Sequence, residues 1–438
     1  MQKSKFFFLT LALLLSYNWI FSQENKEVEE KKEIFSIGLE FRPRTEFRNG
    51  YRQIRRDTTH AAVFTEGRSR LYLNYERKGF IFHTSIQDVR IWGQYDPRST
   101  EGTLQVFEAY VEPTLKKGLS VRIGRQKIMY DNQRLFAQND WRQTAGAHDG
   151  VRFMYKKKTF EGDLIGVFNQ EKGAHERFFE TDFSPGFSNY KILLANFLRY
   201  KTGKITLTAI NASDAFQDAD DIHLTHWRFT SGGRIEYTQK KVYLTLAAYY
   251  QYGKTPKGEN LSAGYIQPEV QFKDNKHWTL RLGAEVFSGD DGRNPDNTSH
   301  SFDALYGVNH RFLGSMDFFT RFPDDFNNAG IVAPYLFVFY DVNKKLTLRA
   351  DGHLFYSQNH FVPEGDYLPI RKYLGFENDL LLRYRPNSYT EIDLGYSYAI
   401  VTESMEYIRK GGNSDLFQSW AFLMITFKPE LFRWTNTN

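Results

Sequence analysis

The chain contains no cysteine. That absence excludes a disulfide scaffold, a thiolate metal centre, a cysteine nucleophile and lipoprotein acylation. Proline is scarce, at 13 of 438 residues, and no Ser/Gly-rich linker interrupts the sequence. The division into two or three domains that this length ordinarily suggests therefore has no seam to fall on. Beyond the N-terminus no stretch approaches the ~18 to 20 consecutive apolar residues of a membrane-spanning helix. No basic tail or stripe marks a nucleic-acid protein, because the net charge is only +5 and acidic residues are interspersed among basic ones throughout.

Catalytic motifs are missing as well. There is no Gly-x-Ser-x-Gly elbow, no P-loop, no dinucleotide fingerprint and no His-Glu-x-x-His; the fragment His175-Glu176-Arg177-Phe178-Phe179 lacks the second histidine. The chain is read as non-enzymatic, with an enzyme whose Ser and His lie far apart in sequence and leave no local motif as the rival. Histidines are scattered singly and offer no metal-ligand spacing. Two acidic clusters carry oxygen ligands of the kind calcium takes: Asp214, Asp218, Asp220 and Asp221, and Asp290, Asp291, Asn294, Asp296 and Asn297. Neither has the spacing of an EF-hand, and Asp and Asn are ordinary turn residues, so no cofactor is expected.

What is abundant is aromatic. Phe, Trp and Tyr make up 17% of the chain, with 27 Tyr and 39 Phe, yet the mean hydropathy is -0.55. Greasy rings in a polar chain fit a surface that is apolar on one side and wet on the other. At the N-terminus Lys3 and Lys5 precede an apolar run from Phe6 to Leu15, and Ser22-Gln23 opens a charged stretch. That order predicts a signal peptide over residues 1–22, followed by a polar spacer over 23–33.

From residue 34 to residue 428 the chain alternates. Phe35, Ile37, Leu39 and Phe41 oppose Ser36, Gly38, Glu40 and Arg42. Further on, Leu346, Leu348 and Ala350 oppose Thr347, Arg349 and Asp351, and Ala421, Leu423, Ile425 and Phe427 form one apolar face. Period-2 patterning with one charged face reads as strands too polar for a sandwich core. Tight turns such as Thr202-Gly203 and Asn343-Lys344 alternate with long polar loops such as 49–60, 173–189 and 402–415. The predicted fold is all-β: a transmembrane antiparallel β-barrel of about 18 strands, ending in a tail over 429–438. A soluble sandwich or propeller is set aside because the chain has the signal sequence, lacks a propeller-length repeat and carries aromatics suited to a membrane girdle.

A barrel this wide leaves an aqueous lumen, and one charged stretch belongs there. Between Arg122 and Lys158 stand nine basic residues against three acidic ones, Asp131, Asp140 and Asp149. Guanidinium groups are strong partners for carboxylates, and interspersed Asp keeps each site weak enough to release an anion. Pairing that merely rigidifies the lumen is the plainer reading of the same residues.

Within this stretch Gly124-Arg125-Gln126, Tyr130-Asp131-x-Gln133-Arg134-Leu135, Asp140-Trp141-Arg142-Gln143 and Asp149-Gly150-Val151-Arg152 resemble the core signature of the alginate-export outer-membrane proteins. Glu108-Ala109-Tyr110-Val111, Phe287-Ser288-Gly289-Asp290, Phe302-x-x-Leu305-Tyr306 and His310 extend the resemblance over nearly the whole mature chain. It implies an 18-stranded monomeric barrel in a bacterial outer membrane that carries a polyuronate through an arginine-rich constriction. Arg125, Arg142 and Arg152 match the signature's basic positions, and Asp131, Asp140 and Asp149 its acidic ones.

The expectation is a passive channel for anionic poly- or oligosaccharide. Its lumen path would be lined by Arg42, Arg44, Arg68, Arg70, Glu108, Arg125, Asp131, Arg134, Asp140, Arg142, Asp149 and Arg152. Tyr72 and Tyr110 are candidates for stacking on sugar rings. A general or small-organic-anion diffusion porin is the alternative, and the partners are the anionic glycan and outer-membrane lipid, with no nucleic acid.

Overall fold

The alternating segments form strands in the order β1 (Glu33–Asn49), β2 (Ala62–Arg77), β3 (Phe80–Ile91), β4 (Gln105–Lys116), β5 (Leu119–Gln126), β6 (His148–Lys156), β7 (Phe160–Phe168), β8 (Ile192–Thr202), β9 (Ile205–Gln217) and β10 (Thr225–Gln239). They continue through β11 (Val242–Lys254), β12 (Asn260–Lys273), β13 (Trp278–Phe287), β14 (Thr298–Ser299), β15 (Ile331–Asp341), β16 (Leu346–Ser357), β17 (Tyr373–Asn387), β18 (Thr390–Val401), β19 (Gln418–Phe427) and β20 (Glu430–Asn436). The computed structural model describes residues 32–436 apart from 97, 99–101, 171–188, 275, 294–296, 364 and 366–367. The expected signal peptide, nearly all of the spacer and the fragment at His175 lie outside the described residues.

Each wall strand pairs antiparallel with its neighbours, β13 passing directly to β15, and β19 returns to β1 with Phe41 opposite Phe427 and Asn49 opposite Ser419. The result is a closed barrel of 18 strands. β14 is a two-residue parallel pairing beside β12 and takes no part in closure. The C-terminal segment differs from the predicted tail. Past the interruption at Lys428-Pro429, β20 runs on along β1, from Gly38 opposite Glu430 to Glu33 opposite Asn436. Proline lacks the N–H that the ladder needs, so the alternation lapses there and resumes; the Pro429 carbonyl still accepts from Leu39 N–H at 3.1 Å.

Side chains sort by parity. Phe41, Leu71, Phe82, Leu244, Leu282, Leu348 and Leu394 are exposed on the outside, while Glu40, Arg42, Arg68, Gln87, Gln251, Glu285 and Asp393 are buried within. An apolar exterior around a charged interior is the inverse of a soluble protein and suits a hydrocarbon surround. No helix among the described residues is long and apolar enough to cross a membrane; the strands do that.

The lumen is not simply wet. The connections 127–147 and 288–330 both fold inward from the long-loop end and bury Ile128, Leu135 and Phe136 against Phe302, Phe312, Met316 and Phe319. A short helix α1 (Glu403–Arg409) adds Met405 and Ile408 to this packing. The centre of the stretch predicted to face water is thus a hydrophobic core inside the barrel. The reason is that this connection, with its apolar residues unalternated, must bury them somewhere, and the lumen is the nearest place away from water.

Candidate functional site

The two inward loops are joined to each other by their backbones. Tyr306 N–H donates to the Leu135 carbonyl at 3.0 Å, Ala137 N–H to the Tyr306 carbonyl at 3.1 Å and Val308 N–H to the Gln133 carbonyl at 3.0 Å. Arg134 fastens this seam to the wall. Its guanidinium pairs with the fully buried Glu285 at 2.7 Å and donates to the Val308 carbonyl at 2.7 Å and to Asn309 Oδ1 at 2.6 Å. The loops approach so closely at Gly307 that a Cβ there would stand 1.8 Å from the Arg134 carbonyl oxygen. Gly307→Ala is therefore expected to cost about 1–3 kcal/mol, the usual penalty of overpacking, and to raise single-channel conductance as the seam parts. An unchanged melting temperature and conductance would remove this contact from the account.

The tip of the first loop is held by arginines of β1 and β2. Arg42 meets Asp140 at 3.2 Å, its carbonyl at 2.8 Å and Gln143 Oε1 at 2.9 Å. Arg68 reaches Asp140 at 2.9 Å and also pairs with Glu40, and Arg70 lies 3.9 Å from Asp140 while donating to Gln87 at 3.0 Å. Arg44 donates to the Trp141 carbonyl at 2.8 Å, pairs with Glu46 at 2.8 Å, and lies 4.0 Å above the Trp141 ring. Trp141 in turn stacks on His310 of the second loop at 4.1 Å, and His310 meets Asp317 at 2.7 Å. All four arginines are buried. The structure brings them together as a clamp, in which Arg42, Arg68 and Arg70 share Asp140 and Arg44 holds the adjacent Trp141.

The other predicted residues are distributed differently. Glu108 accepts Lys127 Nζ at 2.9 Å on the β4 wall. Asp131, in the first loop, accepts Thr208 Oγ1 at 2.9 Å and Tyr249 OH at 3.3 Å. Arg152 faces inward and pairs with Asp163, with its guanidinium 5.2 Å from the Tyr130 ring. Arg125 and Asp149 form an exposed pair at 2.5 Å. Their register continues that of Ile123 opposite Val151 and of Val121 opposite Phe153, the parity whose Ile123 and Phe153 are exposed outside, which sets this pair apart from the lumen path. Gly124, at φ +122°, bends the strand between them and Arg122. Tyr72 gives its hydroxyl proton to Glu40 at 2.8 Å, and Tyr110 lies beneath Arg122 at 4.2 Å.

Arg142 stays free. Its side chain is exposed at the tip of the first loop and makes no ion pair among the described residues. A second such cation, absent from the predicted set, is Arg311 in the second loop, exposed and, among the described residues, bonded only to the Asn132 carbonyl at 2.5 Å. Partial withdrawal from bulk water and the neighbouring Arg281, Arg349 and Arg234 lower its pKa to about 10. Those three have carboxylates of their own: Arg281 with Glu269 at 2.6 Å, Arg234 with Glu236 at 3.2 Å, and Arg349 with Asp351. Arg311 is the surplus charge. It lines a cavity of about 410 Å³ between the two loops and the wall, shared with Asp140, Trp141, Arg383 and Lys428. Nothing in the local sequence distinguishes Arg311 from a solvated loop arginine.

The acidic clusters resolve into turns and lumen pairs. Asp214 is buried in β9 and bound to Arg228 at 2.6 Å, so it belongs to the strand and not to a turn. Asp218 accepts the backbone N–H groups of Asp220 and Asp221 at 2.8 and 2.9 Å, and the side-chain hydrogen bond from His226, followed by these backbone bonds, depresses its pKa to about 2. Asp290 accepts His300 N–H at 2.9 Å and Ser301 Oγ at 2.8 Å; Asn294 and Asp296 lie outside the described residues.

A closed membrane barrel whose lumen is narrowed by inward loops and charged along its walls defines an outer-membrane channel of the porin type. Solved structures of this kind include Pseudomonas aeruginosa OpdO, 12% identical with a TM-score of 0.61 over 91% of this chain and 98% of that one. Pseudomonas aeruginosa OccK2 (OpdF), solved in complex with glucuronate, is likewise 12% identical with a TM-score of 0.61, over 91% of this chain and 97% of that one. Residues 34–401 match the alginate export family, and the chain belongs to that family. Its place is the bacterial outer membrane. No curated protein matches the sequence.

Proposed function

We propose that the protein is a passive, single-barrel channel for uronate-type anionic saccharides, and that it performs no chemistry on them. The observation that carries this reading is the unpaired Arg311, surrounded by three further guanidiniums beside the lumen cavity. A carboxylate passing there meets a positive field that water screens only in part, while Asp140 and the other wall carboxylates oppose tight capture. Arg142 supplies a second cationic step at the tip of the neighbouring loop. The clamp residues Arg42, Arg44, Arg68 and Arg70 act indirectly, by holding that loop in position.

Support for the class of cargo comes from family membership and from the glucuronate of OccK2, a uronic acid. The narrowing of the lumen favours a second reading, in which the cargo is a small organic acid or a single uronate rather than a polymer. Current recordings with oligouronates of increasing length separate the two. A polymer channel is expected to show occlusions whose dwell time grows with chain length, while neutral oligosaccharides of the same length leave the current undisturbed. A channel restricted to small acids would pass glucuronate and show no length-dependent occlusion.

A further inference from the structure

Four lumen-facing side chains on adjacent strands form a square that the channel reading leaves unused. Asp351 and His353 of β16 stand directly opposite Asp379 and Glu377 of β17. All four are buried, none more than 6% exposed. Asp351, His353 and Asp379 each offer a ligand atom, and those atoms lie within 4.8 Å of one another. Each member of the square also retains an atom without a hydrogen-bond partner: Asp351 Oδ1, His353 Nδ1, Glu377 Oε2 and Asp379 Oδ1. Orphaned polar atoms in a buried interior are costly, most of all on charged groups, so four in one place call for a partner.

Charge points to the kind of partner. Arg349 neutralises Asp351, whereas Glu377 and Asp379 have no Arg or Lys within ion-pair distance among the described residues. Two carboxylates with no guanidinium or ammonium partner, one of them 3.6 Å from His353 Nε2, form a donor set that one divalent cation can balance. Calcium and magnesium prefer shells made wholly of oxygen, whereas an imidazole nitrogen combined with carboxylates in a compact set suits zinc and its transition-metal neighbours.

We propose that Asp351, His353 and Asp379, with Glu377 beside them, bind one divalent transition-metal ion of the zinc class. The position gives the ion a consequence. Glu377 accepts Met316 N–H at 2.7 Å and Asp379 accepts Ser315 N–H at 3.2 Å, so the same carboxylates anchor the second inward loop to the wall. Metal at this seam stiffens the loop that carries Arg311. Asp351 and Asp379 also line the cavity that Arg311 lines, but the metal site draws on no contact with the cargo and stands whether or not the cargo is a uronate.

The test uses the full-length protein purified without a histidine tag, folded in detergent, incubated with zinc chloride and desalted. Elemental analysis is expected to find about one zinc per chain in the wild type, accompanied by a rise in melting temperature. His353→Ala and Asp379→Asn should lose both. Glu377→Gln, which keeps the side-chain shape and the bond to Met316, should fold normally and bind zinc at least tenfold more weakly. A wild type that retains no zinc, or folded variants that all retain wild-type zinc, would overturn the proposal; in the first case shared protons satisfy the square.

Discussion

Arg311→Glu is expected to reverse the charge preference of the channel. One unit charge acting on another at 4 Å is worth about 1 kcal/mol in water and about 4 kcal/mol at an effective dielectric of 20. Exchanging a cation for an anion doubles that effect. Even the lower figure then gives about 2 kcal/mol, which is more than a tenfold change in relative permeability. The effect should be large here because Arg281, Arg234 and Arg349 already have carboxylates, and Arg311 has none among the described residues. Arg311→Lys keeps the charge and should keep the selectivity. Arg142→Glu should shift it in the same direction but by less, since that side chain is exposed at the loop tip, where water and salt screen its charge. The check is the reversal potential of each variant under a potassium chloride gradient in a planar bilayer; an unchanged potential in Arg311→Glu would move the selective site elsewhere.

The second large effect is structural. Arg134→Met leaves Glu285, which is fully buried, without its cation and cuts the bonds to Val308 and Asn309. Removing one partner of a buried ion pair costs about 3–5 kcal/mol, and here the loss falls on the seam between the two loops. Denaturant titration of the folded protein in detergent should report that loss, and conductance should rise as the loops separate. Adding Glu285→Gln removes the stranded charge and should recover part of the stability without restoring the conductance. A single variant that loses less than about 1 kcal/mol would show that the pair is not what holds the seam.

The barrel wall was legible in the sequence because a strand repeats every two residues, and membrane on one side and lumen on the other force that repeat into the choice of side chains. Arg42, Arg44, Arg68 and Arg70 could be assigned to the lumen face on this ground alone. The partner that Arg42, Arg68 and Arg70 share could not, since Asp140 lies 98 residues from Arg42 in the chain and no local pattern encodes that meeting. The inward loops were hidden for a related reason. Phe302, Phe312, Met316 and Phe319 follow no period, so nothing in the sequence separates a loop that fills a barrel from one that leaves it. Arg311 belongs to the same blind region: whether an arginine is paired depends on four elements that converge only after folding. The alternation also stopped short at Pro429, where a missing N–H interrupts the ladder without ending it. The square of Asp351, His353, Glu377 and Asp379 shows the opposite case: the alternation puts Asp351 on the inner face, and only the strand register reveals that the four meet.

The central claim is that anionic saccharide units cross the outer membrane through this lumen by electrostatic preference. The most direct measurement is the reversal potential of single wild-type channels in a gradient of potassium glucuronate, with no other anion present. The account predicts a potential of the sign that marks glucuronate as more permeant than potassium, collapsing toward cation preference in Arg311→Glu. A wild-type channel through which glucuronate carries no measurable current, or one that favours potassium over it, would contradict the account.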